Sequence, residues 1–241
     1  MIFAVSCSAP NILQASQLQA GCLASAKGLA RLASWWSIPA PRVEYTTDIG
    51  AGLDDPDAYD VHVLPDLSSV GGDTRDLAFH CVVAGRPTCY VGANVCKAEN
   101  GTDNWFMGPN GLWAALDHEL KECTIDPTCA LIVQGPTCLE PKEVADRLQG
   151  TDYCEPGSEG IYLANAYGPE GLTLGDVRAL GLDIASDLRA PTTTTAFYLA
   201  PGGYYQNATT GEMIFGDKVH PLKRERLLRT GPRGGMRKVA A

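Results

Sequence analysis

Two residues four apart, His118 and Glu122, constrain this chain more than any other feature of it. On an α-helix they lie one turn above each other and point to the same side. An imidazole and a carboxylate in that geometry can hold a divalent cation, with one nitrogen and one harder oxygen donor. Glu119, between them, is placed to act as a general base toward a water on such a cation. Lys121 brings an ammonium into the same turn, which counts against catalysis. The plainer reading of Asp117-His118-Glu119-Leu120-Lys121-Glu122 is a solvent-facing turn that carries one His and two Glu.

A helix needs a body to pack against, and the composition supplies one. With 241 residues, 45% of them hydrophobic and 20% charged, the chain is long enough to bury a substantial core. No stretch reaches the roughly 18 apolar residues of a membrane span, so no membrane anchor is expected. The segment Met1 to Cys7 is apolar but short and has no basic residue before it, which does not make a signal peptide. Synthesis in a cytosol is the resulting expectation.

The nine cysteines include no Cys-x-x-Cys pair, so a zinc ribbon or a thioredoxin motif is not expected. Buried free thiols acting as small hydrophobes are one reading. Pairing outside the reducing cytosol is the other. Charge is unevenly spread. The total is −9, yet residues 222–241 hold Lys223, Arg224, Arg226, Arg229, Arg233, Arg237 and Lys238 against the single acid Glu225, a net +6 that leaves −15 on the rest. With Gly231-Pro232 and Gly234-Gly235 the segment reads as an extended basic arm. Its expected partner is an acidic protein surface, such as another copy or a neighbouring protein, and nucleic acid is the alternative.

The chain reads as α+β. A long Ala-rich helix is expected from about residue 10 to 36, closed by Pro39 and Pro41. Strands are expected at 43–46 and 60–64, and a pair at 77–83 and 88–95 flanks the turn Ala84-Gly85-Arg86-Pro87. Gly108-Pro109-Asn110-Gly111 launches the helix of His118, expected at about 111–123 and ended before Pro127. Beyond Pro136 the chain is rich in Gly and Pro, with short strands at 160–164 and 195–198. One domain over 1–221, loop-rich in its C-terminal half, and the arm over 222–241 make up the expected organisation.

Five segments in order resemble a zincin-like protein family of phage and prophage genomes with a Ser-His-Glu-x-x-Glu-x-x-x-Asp-Pro core. They are the helix ending in Trp35-Trp36, then Leu77-Ala78-Phe79-His80 with Gly85-Arg86-Pro87, then Leu116 to Glu122 with Asp126-Pro127. Asp152-Tyr153-Cys154-Glu155-Pro156 and Ser186-Asp187-Leu188-Arg189-Ala190-Pro191 complete the set. The chain departs from the pattern at Asp117 (Ser in the family), Glu155 (Asp) and Cys81 (Asp).

What the resemblance implies is a single zincin-like, metallopeptidase-like domain with one divalent cation, zinc or else calcium or manganese. His118 and Glu122 would be two ligands. Glu155 is the first choice for the third, with Asp152 and Glu159 as alternatives. Asp126 is expected to cap the loop after the helix. Two functions follow. One is a structural component of a bacteriophage particle (capsid, neck or tail) on a degenerate scaffold, located in the virion and held by other virion proteins or copies of itself. The other is an active metal-dependent peptidase with Glu119 as its catalytic base.

Overall fold

The computed structural model describes residues 1–8, 12–48, 55, 57–109, 111–134, 139–141, 144–149, 151–158, 160–168, 173–175, 199–200 and 203–216. The chain is α+β. A five-stranded mixed sheet is built from β1 (Ile2–Cys7), β2 (Arg42–Tyr45), β3 (Ala58–Leu64), β4 (Ala78–Val83) and β5 (Arg86–Gly92) in the order β2-β1-β3-β5-β4. Four of its strands run parallel, and β4 returns antiparallel to β5 at one edge. The interior strand β1, paired with β2 and β3, has Phe3 and Val5 fully buried and is the apolar N-terminal segment that the sequence showed only as too short for a leader.

Helix α1 (Ala15–Trp35) begins after Gln14, whose side chain and that of Gln17 form a reciprocal cap. It is therefore shorter at its start than the expected 10–36. Helix α2 (Ala93–Asn100) follows β5 directly, where a continuing strand was expected, and ends on Gly101 in the left-handed region.

Helix α3 (Leu112–Ile125) carries His118 and lies at the centre of the fold. It packs against α1, β4, β5 and the short strand Tyr162–Leu163. Leu112, Trp113, Leu116, Leu120 and Cys123 are each fully buried, and the polar residues Asp117, His118, Glu119, Lys121, Glu122 and Thr124 are buried too. A helix covered on all sides is a core element and not a surface stripe. That disposes of the solvent-facing turn. Its entry requires glycine, since a Cβ on Gly111 would stand 2.4 Å from the Trp105 carbonyl oxygen.

Its exit is held by Asp126, as expected. That carboxylate accepts hydrogen bonds from the backbone N–H of Ala130 at 3.2 Å and of Leu131 at 2.7 Å. Asp126→Ala should lower stability by about 2 kcal/mol, because hydrogen bonds to a charged, buried acceptor are worth roughly 1.5–3. Chemical denaturation measures this, and a loss under about 0.5 kcal/mol would contradict the capping role.

A second, smaller core gathers Leu32, Ile125, Val144, Ala145, Leu148, Ala166, Tyr167 and Leu174. It docks residues 144–148, including the 3-10 turn Asp146–Leu148, against the ends of α1 and α3. Eight cysteines are free thiols among the described residues, and Cys22, Cys81, Cys89, Cys96 and Cys123 are buried. They behave as small hydrophobes. Among the described residues no helix is long and apolar enough to cross a membrane. The basic arm and the strand expected at 195–198 lie outside the described residues, as does the Ser186–Pro191 segment.

Candidate metal centre

Three residues of α3 and one from each of two other pieces of chain bring five donors together. His118 Nε2 lies 3.0 Å from Glu122 Oε1, the expected one-turn pair. The same nitrogen lies 3.2 Å from Asp146 Oδ1 on the 3-10 turn. Glu122 Oε1 also accepts the backbone N–H of Ala145 at 3.3 Å, which ties the helix carboxylate to the turn that delivers Asp146. One ligand atom from each of His118, Glu122 and Asp146 falls within 4.8 Å of the others, and the same holds for His80, Glu119 and Glu122.

His80 stands on the edge strand β4, and its Nδ1 is 3.0 Å from Glu119 Oε2 and 3.8 Å from Glu122 Oε2. The side chains of all five residues are at most 11% exposed. Charged donors this far from water need partners or an ion.

The electrostatics fit a cation. Burial works against a charge on His118, but Glu122 and Asp146 outweigh it and hold its proton well above the usual histidine range. Burial raises the Glu122 carboxyl in spite of His118, and Asp146 pushes it the same way. A proton retained on His118 would compete with a divalent ion for the same nitrogen. One imidazole and two carboxylates suit zinc or manganese.

Uptake should therefore strengthen as pH rises. A raised His118 pKa means that the competing proton is retained below that value and lost above it. Calorimetric titration of the metal-free chain with zinc at two pH values, about 6 and 8, checks this against the ordinary histidine pKa of about 6.5. Equal affinity at both would remove His118 from the site.

The third donor is not the one the resemblance implied. Glu155 Oε1 is 2.7 Å from Arg31 Nη2 and accepts the Tyr153 hydroxyl at 3.0 Å, so it is taken up on the other side of α3. Asp152 is on that side too, where its charge acts on Lys121. Glu159 lies outside the described residues, and so do Lys223, Arg224, Arg226, Arg229, Arg233, Arg237 and Lys238. Asp146 and His80 take the places that the downstream acidic segment was expected to fill.

Lys121 also needs correction. Its ammonium does not face the cation donors. It is fully buried on the opposite flank of α3, where it donates to Asp117 and to the Ala164 carbonyl and sits 4.8 Å above the Tyr153 ring. Successive residues on an α-helix point about 100° apart, so Lys121 and Glu122, neighbours in sequence, face different sides.

Fold and site together define an α+β domain with a buried helix-borne group of histidine and carboxylate donors that could hold a metal ion. No family model matches the chain, and neither does any curated protein or solved structure.

Proposed function

We propose that this chain is a zincin-like domain that binds a divalent cation at His118, Glu122 and Asp146 and serves as a structural component of a bacteriophage particle. The observation that carries the metal-binding part is the buried meeting of these three donors from two separate segments. A cation there would fasten α3 to residues 144–148 and stabilise the fold by mass action. Closed, deeply buried metal sites are the structural kind, whereas catalytic ones keep a position open to water. The place in a particle (capsid, neck or tail) rests on the resemblance to phage zincin-like proteins. Other virion proteins or further copies of the chain are the partners this reading implies.

Elemental analysis of protein purified without chelator tests the site. The native chain should carry bound metal that His118→Ala/Glu122→Ala loses, and equal metal in both would end the proposal. Mass spectrometry of purified particles tests the location, where a stoichiometric presence is expected.

A metal-dependent peptidase is the second reading, and one observation favours it. Glu119 is held by His80 beside the cation donors, while Lys121 is turned away. When bound, the ion would polarise a substrate carbonyl or lower the pKa of a water. Glu119 would accept the proton at its carboxylate, and His80 would fix the orientation of that carboxylate. Glu119→Gln separates the two readings. Unchanged assembly and infectivity fit the structural role, and loss of processing of a virion protein, with folding intact, fits the peptidase.

A further inference from the structure

The two donor groups share one residue. Glu122 turns Oε1 toward His118 at 3.0 Å and Oε2 toward His80 at 3.8 Å, so its two oxygens face two different imidazoles. His118 is backed by Asp146, and His80 by Glu119 at 3.0 Å. Each side of the Glu122 carboxylate thus has one nitrogen donor and one further carboxylate of its own. That is the arrangement in which a carboxylate bridges two divalent ions about 3.5–4 Å apart. We infer that the chain has a second cation position, at His80, Glu119 and Glu122, next to the one at His118, Glu122 and Asp146, with Glu122 bridging the pair.

Charge balance points the same way. Three buried carboxylates face two imidazoles that are neutral when they ligate. With both imidazoles neutral, one divalent ion leaves this group negative, and a second cation offsets the remainder. The nearest ammonium in sequence, on Lys121, is committed to Asp117 and Ala164 across the helix. The donor set, nitrogen with several carboxylate oxygens, suits manganese or zinc at both positions. In this arrangement Glu119 is a ligand, and its proton-accepting role in the peptidase reading does not arise.

The inference rests on the metal-binding reading above, and one experiment tells their failures apart. The full-length chain, stripped with a chelator and dialysed, is titrated with manganese(II), and bound ions per chain are counted by elemental analysis. Paramagnetic resonance then reports whether the ions are magnetically coupled. Two coupled ions are expected in the native chain. His80→Ala and the near-isosteric Glu119→Gln should each retain one ion with the signal of an isolated manganese, and circular dichroism shows that they are folded. A native chain that binds one ion, unchanged in both variants, overturns the second position and leaves the first standing. Two ions retained in both variants place the second ion elsewhere and also overturn it. A native chain that binds none overturns the metal-binding reading and this inference with it.

Discussion

Lys121→Ala is expected to destabilise the fold by about 3–5 kcal/mol, the cost of removing one partner from a buried ion pair. The pair is Lys121 with Asp117, one helical turn apart and both fully buried between α3 and the strand Tyr153–Cys154. Burial lowers the Lys121 pKa and raises that of Asp117, with each partner opposing the effect on the other. Truncating the lysine leaves a carboxylate in a place that favours no charge, and it strips the Ala164 carbonyl of a donor. Replacing both residues by apolar ones, in Asp117→Leu/Lys121→Met, should cost far less, because no charge is then stranded. Urea denaturation of the three proteins decides this. A single-mutant loss below about 1 kcal/mol would mean that water reaches the pair. Cation uptake should be unchanged in Lys121→Ala wherever it remains folded, since the ammonium and the donor group occupy different sides of the helix.

Gly21→Ala should have the next largest effect, about 3 kcal/mol, at the upper end of what overpacking costs. A Cβ on Gly21 of α1 would fall 1.7 Å from Cε2 of Trp113 and 2.1 Å from its Cδ2. Trp113 is fully buried at the start of α3, so the indole has no free space to swing into. Glycine here is a matter of close approach between two helices and not of backbone conformation. Trp113→Leu alone should also destabilise, because it removes a large buried ring. In the double mutant the two losses should fall short of their sum by at least about 1 kcal/mol, the signature of residues in contact. Additive losses would show that the helices do not meet at this point. Thermal and urea unfolding of the four proteins supply the cycle.

Helix α3 was legible because its punctuation is local. Gly111 opens it, Asp126 closes it, and both act through backbone groups within a few residues. The β4–β5 hairpin was legible for the same reason: Ala84 and Gly85 both adopt positive φ, and the strands they join are adjacent in sequence. Strand β1 was not, since Ile2 to Val5 is a short apolar run whose character as an interior parallel strand depends on neighbours far along the chain. The pairing of His118 with Glu122 followed from the helical repeat alone. Asp146 did not, because nothing in Val144-Ala145-Asp146 marks it, and its position is set by Val144 and Leu148 sinking into the smaller core. Glu155 attracted attention by sequence likeness, but Arg31, more than a hundred residues away, claims its carboxylate. His80 stood in a recognised strand, and only the packing of β4 on α3 brings it to Glu119.

The location of Asp146 on the smaller core bears on how fast the donor group would exchange a bound ion. The sheet, α1 and most of α3 belong to one body of packed side chains, while residues 144–148 are anchored through another. Segments stabilised by separate sets of contacts open separately, at a free energy below that of global unfolding. Residues 144–148 can therefore lift away and remove one of the donors while the β-sheet and the histidines stay in place. The residence time of an ion there would then be governed by the hold of Val144, Ala145 and Leu148 on their neighbours. Hydrogen exchange at the Ala145 and Leu148 amides, which donate to Glu122 Oε1 and to the Ala145 carbonyl, would follow the same opening.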